Sequence, residues 1–155
     1  MKQSRVVLLD TDVVVNWLIQ ETETVSKKEL WIAPYEIIKL IEAGKIFGAI
    51  SVTSLLEIRF LLRRKKQFSY QQVEDDISKL TSILDVVIPD EIQLLKANAL
   101  QTDLLLDPFD AIHLAAAISM NPVTLLSRDK AFLQISKQFI EAMTPEKYLS
   151  SKPAL

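Results

Sequence analysis

Four acidic side chains fall where chemistry could use them: Asp10, Glu57, Asp110 and Asp129. Asp10 immediately follows the apolar run at residues 5–9, and Asp129 lies just past the run at 123–126. Both runs are short and continuously apolar, as strands buried on two faces are. Glu57 and Asp110 fall in what reads as the first turns of two helices. In an open parallel sheet, ligands gather at the carboxyl ends of the strands. Helix starts can face that same edge, so the four acids are expected together. Clustered carboxylates raise one another's pKa unless a cation neutralises them. Losing one of them, Asp10 or Asp110, should therefore stabilise the metal-free fold. Hard divalent cations take oxygen donors, and Mg²⁺ keeps waters that can serve as nucleophile. One or two such ions could activate water and stabilise the leaving oxygen of a cleaved phosphodiester.

Each acid also has a purely structural reading. Glu57 stands three residues after Ser54, the spacing of a capping box. At about 100° per residue it nevertheless projects between Phe60 and Leu61, among apolar neighbours. Asp110 follows Asp107 by three and would complement a helix dipole, while bordering the stripe of Ala111, Leu114, Ala115 and Ile118. Asp129 could be a turn or N-cap residue ahead of residues 130–133, and Asp10 could begin an Asx turn. The caps must then account for acids that border buried elements at one end of one sheet.

The elements that would hold these residues alternate. Strands are expected at residues 5–9, 47–52, 85–88 and 123–126, with 139–143 as an edge strand. Helices are expected at 12–19, 35–43, 54–65, 69–84, 90–101 and 108–120, each with apolar residues at helical spacing. Ser69 is a suitable N-cap, as is Asp107 with proline next to it. Residues 21–34 lack clean periodicity and read as a loop or short insertion. The pattern is an α/β fold with a mainly parallel sheet and helices on both faces. One domain over residues 1–149 suits the length, with a frayed tail at 150–155.

Composition narrows the chemistry. The 155 residues contain no cysteine and one histidine, His113. Disulfides, thiolate nucleophiles and cysteine-ligated zinc are excluded, and a two-histidine zinc motif is too. An all-carboxylate donor set favours Mg²⁺ or Mn²⁺. Gly44 and Gly48 are the only glycines, which leaves no Gly-rich phosphate loop. Neither a signal sequence nor a stretch of membrane-spanning length is evident, so the chain reads as cytoplasmic. With a net charge of −2, a polyanionic partner would have to meet a local basic patch.

Four segments carry a family resemblance: Val-Leu-Leu-Asp-Thr-Asp-Val-Val-Val at 7–15, Ser-Val-Thr-Ser-Leu-Leu-Glu-Ile at 51–58, Asp-Pro-Phe-Asp-Ala-Ile-His-Leu-Ala-Ala-Ala at 107–117, and Leu-Leu-Ser-Arg-Asp-Lys-Ala-Phe at 125–132. In this order and spacing the chain resembles the PIN-domain family, particularly the VapC-type toxins of prokaryotic toxin–antitoxin pairs. The resemblance spans most of residues 5–149. It implies a PIN-like three-layer α/β/α fold and a metal-dependent endoribonuclease that cuts RNA. It also implies a cognate antitoxin and a homodimer. By the same resemblance Asp10, Glu57, Asp110 and Asp129 match the family's metal-binding acids, and Ser127 matches a hydroxyl position two residues before the last acid. Where the family often has Asn, this chain has Asp12, which reads more readily as a helix N-cap than as a ligand.

Other residues invite a reading. Arg59, Arg63, Arg64, Lys65 and Lys66 form a basic helix end that suits the dipole; Arg63 and Arg64 could alternatively contact RNA phosphates. His113 reads as a structural or rim residue, and Trp31 and Tyr35 as packing residues before base-stacking ones. Two other functions compete. Asp10-Thr11-Asp12-Val13 resembles the nucleophile motif of haloacid-dehalogenase-like phosphatases, in which Asp10 would form an aspartyl-phosphate. A non-catalytic binding module that retains the fold is the other.

Overall fold

In the computed structural model, which describes residues 5–151, the first apolar run becomes the central strand β1, Val6–Leu9. Successive strand side chains point to opposite faces. Val7 and Leu9 accordingly enter one core, with Ile50 and Leu126, and Leu8 enters the other, with Ala49 and Leu125. The remaining strands are β2 (Phe47–Ser51), β3 (Asp85–Val87), β4 (Thr124–Leu126) and β5 (Glu141–Met143). They form one five-stranded sheet in the order β3-β2-β1-β4-β5, and every pairing is parallel.

The first core lies under α1 (Thr11–Leu18), α2 (Ile32–Glu42), α3 (Val52–Arg64), α4 (Tyr70–Ile83) and α8 (Pro145–Ser151). The second lies under α5 (Glu91–Asp103), α6 (Pro108–Ser119) and α7 (Lys130–Ser136). Ala111, Ala115 and Ala117 of α6 are all buried in this second core, and α6 packs chiefly against α5. The result is a three-layer α/β/α fold. Gly44 ends α2 at φ +71°, a conformation that costs glycine little. A Cβ on Gly48 would run into the side chains of Ile41 and Leu84.

Most expected elements form, with boundary differences. Helix α2 starts at Ile32, inside the segment read as irregular, and the rest of that segment closes on a bridge between Thr22 and Glu29. Helix α8 is not anticipated by the helical spacing because it is so short. It takes in Ser150 and Ser151 of the tail expected to fray, and residues 152–155 lie outside the described residues. Among the described residues no helix is long and apolar enough to cross a membrane.

Strand order reverses around β1: β2 leaves on one side and β4 on the other. A crevice outside the carboxyl ends of the strands is expected at such a reversal. Asp10 leaves β1 there, and Ser127 to Asp129 leave β4 there.

Candidate metal centre

Asp10 is the hinge between β1 and α1. Its backbone N–H donates to the Leu126 carbonyl at 2.9 Å, which ties it to β4. As the N-cap of α1, its Oδ1 accepts from the Thr11 N–H at 2.8 Å, and its Oδ2 accepts from the Ser127 hydroxyl at 2.8 Å. Burial alone would raise this carboxyl, but His113, Ser127 and Thr11 outweigh it and hold Asp10 below its ordinary value.

Glu57 is not a capping-box residue. The N-cap of α3 is Ser51, whose hydroxyl accepts from the Thr53 N–H, so Ser54 lies inside the helix and Glu57 in its second turn. The sequence misplaces this start because Ser51 ends a strand and α3 follows with no loop between. Glu57 turns toward α1 and accepts from the Thr11 hydroxyl at 2.9 Å. Burial is the main influence raising its pKa.

Asp107 caps α6 as expected, accepting from the Asp110 N–H at 2.9 Å, with Pro108 in the first turn. Asp110 is half-buried and pushed up to about 7 by burial, then by the charges of Asp107 and Asp10. Asp129 does cap α7, through the Phe132 N–H at 3.0 Å, and also lines the cleft.

Asp12 departs from its expected N-cap role, which Asp10 fills. It sits in the first turn of α1, where Oδ2 accepts from the Arg128 N–H at 3.0 Å and Oδ1 is buried with no hydrogen-bond partner. Burial, then the charge of Asp10, pushes it up to about 7.

His113 lies deeper than the sequence suggests, only 2% exposed. Its Nε2 is 2.8 Å from Thr53 Oγ1, 3.2 Å from Ser54 Oγ and 3.8 Å from Glu57 Oε1. On the other side Nδ1 stands 3.2 Å from Asp10 Oδ1, without the alignment of a hydrogen bond. Burial disfavours a charged ring, yet Asp10, Glu57 and Asp110 together raise its pKa. Donor atoms of Asp10, Asp110 and His113 all lie within 4.8 Å of one another.

The acids line one open cleft of about 320 Å³, and His113 is buried behind it. Asp10, Asp12, Glu57, Asp110 and Asp129 all face it, joined by Glu21 and Asp107, which sequence reasoning did not single out for the site. Glu21 is held by the Asn16 amide at 2.7 Å. Ser127 is fully buried behind Asp10 and does not line the cleft.

The basic helix end divides. Arg59 pairs with Glu74, and Arg63 donates to the Phe68 carbonyl at 3.1 Å. Arg64 lies seven residues after Glu57, so it shares that face about 10 Å further along the helix. Trp31 and Tyr35 pack edge to face with centroids 6.0 Å apart.

A family profile described as "PIN domain" matches residues 6–131. The chain belongs to the PIN-domain family. No curated protein matches it. Among solved structures, this PIN domain is similar to a chain of a toxin–antitoxin complex from Klebsiella pneumoniae, with 21% identity, 90% of this chain and 97% of the other covered, and a TM-score of 0.64. For VapBC2 from Rickettsia felis bound to a DNA fragment from their promoter, identity is 19%, coverage 89% and 98%, and the TM-score 0.67. For FitAcB from Neisseria gonorrhoeae the values are 13%, 90% and 98%, and 0.61. At such identities the likeness establishes the fold. Family membership also removes the phosphatase alternative for Asp10.

Proposed function

We propose that this PIN domain is a metal-dependent endoribonuclease, the toxin of a type II toxin–antitoxin pair. The observation that carries the reading is the convergence of Asp10, Asp12, Glu57, Asp110 and Asp129 on one cleft at the sheet's topological reversal. Caps alone do not require carboxyls to be gathered where burial, and after it the charge of neighbouring acids, raises Asp12 and Asp110.

The residues fit a hard divalent cation. The donors are nearly all carboxylate oxygens, and Asp12 Oδ1 is a buried oxygen without a partner. Asp10, Glu57, Asp110 and Asp129, with Asp12 beside them, would hold Mg²⁺ or Mn²⁺. When bound, such an ion supplies an activated water and charge compensation at the phosphodiester. The protein's own part is positioning. Ser127 and Thr11 fix the Asp10 carboxylate, and Thr11 fixes Glu57.

The toxin assignment is supported by the similar structure from Klebsiella pneumoniae that is described as a toxin–antitoxin complex. By analogy the partners are a cognate antitoxin and a second copy of the chain, and the site of action is the cytoplasm. Purified protein should cut RNA with Mn²⁺ or Mg²⁺, and EDTA should abolish the cut. An Asp10→Asn preparation made alongside should be inactive. Cleavage that persists in EDTA, or equally in the variant, would overturn the reading.

A further inference from the structure

The family resemblance assigns the cation to carboxylates, yet an imidazole lies buried directly behind two of them, Asp10 and Asp110. His113 is the chain's single histidine and is almost fully buried. Its two nitrogens are treated differently. Nε2 meets the Thr53 hydroxyl at 2.8 Å, and that hydroxyl in turn is 2.7 Å from Ser51 Oγ. In the tautomer whose Nε2–H donates to Thr53, with Thr53 donating in turn to Ser51, Nδ1 carries a lone pair. Nδ1 has no hydrogen-bond partner, and it lies 3.2 Å from Asp10 Oδ1 within a donor set completed by Asp110. Metal-ligating histidines are built in this way, one nitrogen fixed by a hydrogen bond so that the other presents its lone pair. A lone pair set against a carboxylate oxygen is otherwise unfavourable. Nδ1 can take a proton or a cation there, and the cation also relieves the crowded acids.

We propose that His113 is a direct ligand through Nδ1, making this a mixed nitrogen–oxygen centre that favours Mn²⁺ and later first-row divalent cations over Mg²⁺. The inference rests on the reading of the cleft as a cation site. Its chemistry follows from donor type: carboxylates suit Mg²⁺ and Mn²⁺ alike, whereas imidazole nitrogen favours transition metals and Mg²⁺ is reluctant to shed water for it.

The test uses Mn²⁺ alone with the full chain, free of any histidine tag. Electron spin echo envelope modulation should reveal a directly bound nitrogen, and selective ¹⁵N-histidine labelling should convert the ¹⁴N signal to ¹⁵N. With one histidine present the assignment has a single solution. By calorimetry His113→Gln should lose Mn²⁺ affinity about tenfold or more, on the order seen when a ligand's support is removed, while Mg²⁺ affinity changes less. Should that variant fail to fold, the labelled wild-type spectrum decides. Mn²⁺ bound without nitrogen coupling would overturn the ligand role and leave the carboxylate site standing. Absence of Mn²⁺ binding would overturn both.

Discussion

Asp12 and Asp110 carry the largest resolved upward shifts, to about 7 from an ordinary 3.8. For Asp12 the causes are burial and then Asp10; for Asp110 they are burial, Asp107 and Asp10. A carboxyl raised in the folded state contributes stability that is complete below the ordinary value and lost as pH rises through the folded one. Metal-free protein should therefore lose thermal stability between about pH 4 and pH 7, and Asp12→Asn should flatten that slope. A melting profile equally steep in the variant would contradict the placement of Asp12. Asp10 behaves oppositely. Like-charge repulsion alone predicts that Asp10→Asn stabilises the metal-free fold. However, Thr11 and Ser127 donate to this carboxylate and His113 lies beside it, so the variant is expected to melt lower. The positions of Asp10 at a strand end and Asp110 at a helix start were legible because those are local signals, whereas Glu57 falls a turn later than its expected place. The place of His113 was not legible, since apart from Asp110 the groups that meet its ring, Asp10 and the start of α3, lie far away in sequence.

At the scale of elements, the segment after β4 is fastened by Arg128. Its guanidinium donates to both Glu146 oxygens at 3.0 and 2.7 Å, to the Leu30 carbonyl at 2.7 Å and to Asn16. One side chain thus joins α1, the loop before α2, and α8. Glu146 is part-exposed and keeps Lys28 at 3.5 Å, but Arg128→Ala also removes the charge-assisted bonds to Leu30 and Asn16, so it should cost about 3 kcal/mol. For a domain this size that is roughly 6–12 °C in melting temperature. Hydrogen exchange in α8 should accelerate most, and unchanged exchange there would refute the clasp. Burial would raise Glu146, but its bonds to Arg128 prevail and lower it from 4.5. That contribution is present above about 4.5 and lost as pH falls through the lower folded value, opposite in sign to Asp12. Buried parallel strands and the longer helices were readable from apolar runs and caps such as Ser69 and Asp107. Helix α8 and the Arg128 clasp were not, because a seven-residue helix has too few turns for periodicity and the clasp spans residues far apart in sequence.

For the whole molecule, a net charge of −2 means that any hold on RNA depends on local cations. Arg59 and Arg63 already have partners in the fold, so Arg64 is the better candidate on α3. Arg64→Ala should weaken RNA binding and lower the salt slope by about one, and an unchanged slope would return Arg64 to a dipole role. The three-layer plan was legible from the alternation of elements, whereas the strand order that sets Asp10 beside Ser127 and Asp129 requires tertiary pairing. That arrangement is the central claim: the acids form one cation site and are not a set of caps. Thermal denaturation of wild type and Asp110→Asn, each with EDTA and with saturating Mn²⁺, tests it most directly. At about 100 times the dissociation constant the ion should add about 2.7 kcal/mol to wild type, on the order of 5–10 °C. Asp110→Asn should melt higher than wild type in EDTA and respond far less to Mn²⁺. If the variant melts lower in EDTA and keeps the full Mn²⁺ response, or if wild type does not respond, the acids are caps and the account is wrong.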